Sequence, residues 1–370
     1  MIKIPKSKYL LTLLSLSTAI GIITIILTPF AVTSSILHIQ SNLKENKLKT
    51  NIKYIISPKI NLGIDTWGFY EGLANVNFND KFGFVSKQGD LLIKPMFDDA
   101  GMFSEGLAAV KIGNKIGYIN TIGKIVIKPQ FEGQLWHFSD GLARVTLNHK
   151  VGYINQKGEL IIKPQFEEGS SSFTEGLAAV ELNGKMGYIN KQGKLVIKPQ
   201  FNIGLNFENG LAAVMLGKKM GFINKEGKFI IQPKFDRVYH KFADGLSAVE
   251  IGEKWGLINE KGELLVQPKF DSPLEFSEGL ARVRVEGKNN TNNWGFINKK
   301  GEFTIAPQFE FVGIFSEGLA PVQLGNKWGY INKQGQFIIQ PQFENAGAFV
   351  NGEAVISIKG KTGFIANPLN

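Results

Sequence analysis

The sequence predicts an all-β repeat array of nine three-stranded units of about 35 residues. The expected architecture is a β-solenoid or superhelical stack, with a closed propeller-like ring as the alternative, preceded by one N-terminal transmembrane helix. Three observations predict it: a glycine marker at fixed spacing, a hairpin grammar repeated inside each interval, and one long apolar run confined to the N-terminus.

The marker is a glycine between bulky residues, at Gly83, Gly117, Gly152, Gly187, Gly221, Gly256, Gly295, Gly329 and Gly363, with intervals of 34, 35, 35, 34, 35, 39, 34 and 34 residues. Eleven residues upstream sits a second glycine in Glu-Gly-Leu-Ala or a near variant, at Gly72, Gly106, Gly141, Gly176, Gly210, Gly245, Gly318 and Gly352. The ninth of these, Gly279, lies sixteen residues upstream because "EGKNNTNN" (286–293) lengthens one loop. Such regular self-similarity identifies repeated supersecondary units.

Each unit parses into three strands. "GLAAVKI" (106–112) ends at the turn pair Gly113-Asn114, and "KIGYIN" (115–120) follows with β-favouring Tyr118 and Ile119. The chain then turns at Asn120-Thr121-Ile122-Gly123, where Asn bonds its own backbone and Gly accepts a left-handed conformation. "KIVIKPQF" (124–131) is the third strand, and Pro129 restricts its pairing because proline donates nothing to a ladder.

Phenylalanine supplies the core. Phe69, Phe103, Phe138, Phe173, Phe207, Phe242, Phe276, Phe315 and Phe349 lie three residues before the upstream glycine. Phe97, Phe131, Phe166, Phe201, Phe235, Phe270, Phe309 and Phe343 lie two residues after the repeat proline. Seventeen of 28 phenylalanines therefore occupy two positions of the unit. Burying one such ring stabilises by roughly 1.5–3 kcal/mol, and a unit this small hides its rings only against a neighbour.

The stretch "KWGYINKQGQFIIQPQFENAGAF" (327–349), with "EGLAPVQLGN" before it, resembles the bacterial WG repeat, also called the KWG repeat. The resemblance spans residues 54–367 and implies an all-β repeat protein of poorly defined role with no catalytic residue to carry over. This chain departs from the family's Trp at Phe82, Ile116, Val151, Met186, Met220 and Thr362. The array begins with a third strand, "KYIISPKI" (53–60), and ends with a second, "KTGFIAN" (361–367), so a ring could close across the termini. Nine blades of this size make a many-bladed, thin ring, which favours the open stack.

Ahead of the array, the sequence predicts a basic cytoplasmic tip (1–8), a transmembrane anchor or signal segment (9–32) and a polar tether (33–53); residues 368–370 form a tail. Lys3, Lys6 and Lys8 precede the apolar run, and no charged residue follows until Lys44. Roughly 20 apolar residues span a bilayer, and basic residues before the span keep the N-terminus cytoplasmic. The expected location is a single-pass membrane protein with extracytoplasmic repeats, or a secreted protein after signal cleavage.

Composition narrows the function classes. The absence of cysteine excludes a disulfide framework, a thiol nucleophile and a cysteine-ligated metal. The net charge of +10 is concentrated in residues 1–60, which hold eight lysines and Glu45, leaving 34 basic and 31 acidic side chains beyond them. That balance does not supply the basic face nucleic-acid binding requires. His38, His137, His149 and His240 fall at unrelated repeat positions, and no zinc-protease or nucleophile-elbow motif occurs.

The acid before Gly-Leu recurs as Glu71, Glu105, Asp140, Glu175, Asp244, Glu278 and Glu317, with Asn209 and Asn351 in its place elsewhere. This pattern reads as carboxylates accepting backbone N–H bonds rather than as an ion row or an acid–base pair. No catalytic residue, cofactor or metal ligand is expected. Trp255, Trp294 and Trp328, in successive units, are the candidate contacts, since tryptophan offers large rigid area with a polar N–H. The predicted function is a non-catalytic, membrane-anchored scaffold presenting a protein-interaction surface, with cell-wall or carbohydrate binding as the alternative.

Overall fold

Strands account for all the regular secondary structure in the computed structural model, which describes residues 52–60, 68–239, 242–286 and 292–370. They form nine antiparallel sheets, six with four strands and three with three. One sheet serves as the template: a first strand Asp99–Ser104, a second Leu107–Ile112, a third Lys115–Asn120 and a fourth Ile125–Phe131, each paired with the next. Blades are numbered 1 to 9 by their second strands, from Leu73–Phe78 to Glu353–Ile358. The short first strand is the element the sequence did not announce, because it is as brief as Arg237–Val238 and carries no alternation of its own.

The array is a closed propeller ring, not the solenoid stack favoured by sequence. The N-terminal strand Tyr54–Ile60 pairs antiparallel with Lys361–Ala366, aligning Tyr54 with Ile365 and Ile56 with Phe364. It thereby becomes the fourth strand of blade 9. Phe364 of blade 9 then packs on Phe69 of blade 1 with ring centroids 4.6 Å apart. An open stack would expose both end faces, whereas closure buries them against each other.

The expected N-terminal membrane helix is also corrected. Among the described residues no helix is long and apolar enough to cross a membrane. The segment 9–32, the tip 1–8 and nearly all of the tether 33–53 lie outside the described residues. The single-pass placement, with cytoplasmic N-terminus and extracytoplasmic repeats, therefore has no support in the fold.

Both phenylalanine columns are buried at every one of their seventeen positions. Between blades, an aromatic residue of the third strand meets the next blade's first-column Phe: Phe84–Phe103 at 4.8 Å, Tyr118–Phe138 at 5.0 Å, Tyr153–Phe173 at 4.9 Å and Tyr330–Phe349 at 4.8 Å. Leu257 replaces the third-strand ring opposite Phe276 in one shared cluster. Tilted aromatic pairs of this kind add about 0.5–1.5 kcal/mol beyond their buried area. The tyrosine hydroxyls stay satisfied, as when Tyr153 donates to the Ser171 carbonyl at 2.6 Å.

The marker glycine marks a close backbone approach. The pairing of third and fourth strands shifts register around it, from Met186↔Phe201 to Tyr188↔Ile197, which bends the proline-bearing strand over Gly187. A Cβ on Gly187 would lie 2.6 Å from the Ile197 carbonyl oxygen and 2.7 Å from the Pro199 nitrogen. Both are backbone atoms that cannot rotate away. Gly187→Ala should therefore destabilise the ring by about 1–3 kcal/mol, and Phe173→Ala by about 3–5 kcal/mol. Each should lower the urea midpoint with an unchanged m-value; wild-type midpoints would refute the packing scheme.

Candidate functional site

The recurrent acid builds the ring rather than a site. Each Glu-Gly pair is a two-residue hairpin with both residues at positive φ, as at Glu105 (54°) and Gly106 (83°). This matches a type I′ turn, whose first position suits Asn, Asp or Gly better than Glu. The carboxylate compensates by accepting the glycine N–H of the next blade's equivalent turn. Glu71 accepts from Gly106 at 2.9 Å, Asp140 from Gly176 at 2.6 Å, Glu175 from Gly210 at 3.0 Å, Asp244 from Gly279 at 2.8 Å and Glu317 from Gly352 at 2.9 Å. Asn209 donates instead to the Phe242 carbonyl at 3.1 Å.

A second staple, unforeseen from sequence, holds the opposite ends of the strands. The acid directly after the fourth-strand Phe bonds a third-strand lysine of its own blade and the hairpin N–H of the next. Asp236 accepts from Lys219 at 2.5 Å and from Gly252 N–H at 3.0 Å. Asp98 does the same with Lys81 and Gly113. Its signal was the recurring Pro-x-Phe-Glu/Asp tetrad.

The three candidate tryptophans lie in or against the cores. Trp255 is 6% exposed and sits opposite Phe270 in its sheet. Trp294 and Trp328 are half-buried, sit opposite Phe309 and Phe343, and pack against the clusters around those rings. The structure therefore gathers them into a structural column and brings no two of them to a shared cleft. His137 lies in the irregular segment before Phe138 and His149 in the hairpin of the same blade, while His38 and His240 lie outside the described residues, as does most of the 286–293 loop. Among the described residues no group of three or more His, Asp or Glu is placed to hold a metal ion.

The exposed apolar residues instead lie on the fourth strands. Leu91-Leu92, Ile125-Val126, Leu160-Ile161, Leu195-Val196 and Leu264-Leu265 each open their strand with two consecutive exposed side chains, up to 55% exposed at Leu92. Successive strand residues point to opposite faces, so at this end neither face is covered. The blades have diverged there, which identifies these strands as the outer rim. Lys94, Lys128, Lys163 and Lys198 follow on the same strands, each exposed. Proline comes next, and both residues discourage edge-to-edge strand pairing.

A family model described as a WG containing repeat matches residues 82–115, 116–150, 152–185, 186–219, 220–255, 255–288, 294–328 and 328–361. The chain belongs to the WG-repeat family. The WG unit starts in the third strand of one blade and runs through the second strand of the next, in most copies to the first residues of its third strand, so every sequence repeat is shared between two sheets. No curated protein matches this WG-repeat chain. Among solved structures, it is similar to a eukaryotic initiation factor at 12% identity and a TM-score of 0.57, covering 85% of this chain and 94% of that one. It also matches Hsv2 of Kluyveromyces lactis at 12% identity and a TM-score of 0.39, covering 74% and 98%. The first likeness shows the fold alone, and the second is too distant to bear on it.

The staples make ring stability pH-dependent. Burial opposes ionisation of Glu175, but hydrogen bonds from Lys225 and from the Gly210 and Asn209 N–H groups outweigh it and hold its carboxyl below the ordinary 4.5. The Lys219 bond, then that of Gly252, does the same for Asp236, below 3.8. Groups with lowered native values stabilise fully above their ordinary values and lose that contribution as pH falls through the lowered ones. Thermal unfolding should show an approximately constant midpoint from pH 7 to about 5 and a steep fall below about 4. Glu175→Gln should flatten part of that fall, and an unchanged acid limb in that variant would count against the staple.

Proposed function

We propose that this WG-repeat ring is a non-catalytic scaffold whose outer rim docks a protein partner. The observation that carries the reading is the exposed apolar pair repeated at one level of successive fourth strands. Apolar side chains recurring this way mark an interaction surface rather than scattered exposure. The pairs in blades 1 to 4 are each followed by an exposed lysine. Such a strip suits a partner that offers apolar anchors flanked by acidic side chains, with the lysines steering encounter and the aliphatic pairs supplying hold.

Binding through side chains fits the rim better than strand addition, because the fourth-strand proline, preceded by lysine in blades 1 to 4, obstructs the free edge. The seven acids of the turn row are occupied by glycine N–H bonds between blades. That occupancy supports reading the row as structural and the protein as a binder rather than a catalyst.

The rim is tested by Leu92→Asp combined with Ile161→Asp. Exposed substitutions of this kind usually change stability by no more than about 0.5 kcal/mol, so the fold should survive with a near wild-type thermal midpoint. Cross-linking in the native host should lose its principal protein adduct in this variant and keep it in a control such as Leu324→Asp, which changes an exposed residue at the end of a second strand, at the opposite end of its sheet from the rim pairs. Retention of the same adducts in a folded rim variant would reject the rim as the docking surface.

A further inference from the structure

One cavity departs from the regularity of the ring. The first segments of blades 3, 4 and 5 line a half-open cavity of about 520 Å³, within the range of small-molecule sites. Because the same segment of three successive blades reaches one space, that space lies where those segments converge, on the axis side of the ring.

The sequence breaks its pattern at this point. Blades 2 and 8 pass from the fourth-strand Phe to the next core Phe through a regular first strand, whereas blades 3 and 4 have three-stranded sheets without one. Blade 4 carries Ser170-Ser171-Ser172 instead, and two of these serines order the loop themselves. Ser170 Oγ donates to the Glu167 carbonyl at 2.9 Å and accepts the Glu181 N–H at 3.0 Å. Ser171 Oγ accepts the Ala179 N–H at 3.1 Å.

The third serine has no such task. Ser172 is 8% exposed, and its hydroxyl has no hydrogen-bond partner. Thr174 Oγ1 and Trp136 Nε1 are buried without partners as well, and all three residues line the same cavity. Thr174 stands where Ser104, Ser139 and Ser277 each donate to the next blade's Phe carbonyl at 2.7 Å, a bond it does not make. Trp136 is held in place by the Arg144 guanidinium, 4.5 Å from its ring centroid, and Arg144 is fixed by donating to the Glu168 carbonyl at 2.6 Å. Unpaired buried polar groups cost stability, and Arg144 Nε, behind the Trp136 ring, is unpaired as well, so this corner of the ring gathers several donors and acceptors that call for a partner from outside the chain.

The lining selects the chemistry of that partner. It offers the Trp136 indole, five serine and threonine hydroxyls, the His137 imidazole, Asn206 and the carboxylates of Glu168 and Glu208, with no lysine or arginine among the lining residues. Two carboxylates against the single imidazole of His137 disfavour an anion. A neutral polyol satisfies both sides: its hydroxyls donate to carboxylates and accept from the indole N–H, and its C–H face lies against the aromatic ring. We propose that the cavity between blades 3, 4 and 5 binds a neutral saccharide of one or two sugar units, with Trp136, Ser172 and Thr174 as its principal contacts. This site is separate from the outer rim and stands or falls independently of it.

Isothermal titration of the full chain with cellobiose, maltose and N,N′-diacetylchitobiose, against galacturonic acid as the anionic comparison, tests it. At least one neutral disaccharide should bind saturably. Trp136→Ala should weaken that binding by about tenfold or more, and Ser172→Ala should weaken it measurably, with the loss of a hydrogen bond. Trp255→Phe, in a buried column elsewhere, should leave it unchanged. Trp136→Phe keeps an aromatic ring in place and guards against misfolding of the alanine variant; it should bind more weakly than wild type through loss of the N–H. The proposal is overturned if no neutral disaccharide binds at about 10 mM, if binding survives intact in folded Trp136→Phe and Ser172→Ala, or if galacturonic acid binds more tightly than every neutral sugar.

Discussion

Each blade carries an aromatic side chain that only the next blade can cover. The contact of a third-strand ring with the following first-column phenylalanine recurs around the array, from Phe84–Phe103 to Tyr330–Phe349, and returns to its start through Phe364–Phe69. The remaining architecture serves this contact. The marker glycine lets the fourth strand bend over the third without collision, and its register shift carries the second-column Phe into the same cluster, as Phe201 joins Tyr188 and Phe207. Closure follows from the same demand, since a linear series would leave one phenylalanine face open at each end.

Hydrogen bonds to main-chain N–H groups set the angular spacing that hydrophobic contact alone leaves loose. At one end of the strands, a turn acid accepts from the neighbouring turn glycine; at the other, an acid after the fourth strand accepts from the neighbouring hairpin. The two staples flank the aromatic contact and fix each blade at both ends. A glutamate in a left-handed conformation is uncommon, and its recurrence at Glu71, Glu105, Glu175, Glu278 and Glu317 makes sense once the carboxylate is seen to serve the adjacent blade. Such exposed bonds are individually modest, so the packing supplies most of the stability and the staples supply geometry.

Local chemistry was legible in the sequence, and long-range closure was not. The phenylalanine columns, the Asn–Gly turn and the structural role of the turn acid could all be read from repeated positions. The choice between stack and ring depended on the pairing of Tyr54 with Ile365, which no single unit encodes, although the split of strands between the termini pointed to it. Leu-Val-Ile-Lys at 195–198 reads as an ordinary buried strand, yet Leu195 and Val196 are exposed because the blades diverge there. The tryptophans drew attention by size; each sits opposite a core phenylalanine, Trp255 buried and Trp294 and Trp328 half-buried. The serine run at 170–172 carried a fainter signal: most other units place glycine, aliphatic or aromatic residues at the positions of Ser170 and Ser171, whereas the position of Ser172 is polar in several of them, as at His137 and Asn206.

The joining of Tyr54–Ile60 to Lys361–Ala366 has a consequence for biogenesis. During synthesis the opening strand of the ring emerges before all the second strands, and its ladder partner follows only after the last of them. The nascent chain must therefore carry an unpaired edge and an uncovered Phe69 until the ninth blade is made, the condition under which β-rich intermediates associate wrongly. A truncated product would lack the clasp altogether. Completion of the final hairpin is thus the event that turns a vulnerable arc into a circle without ends.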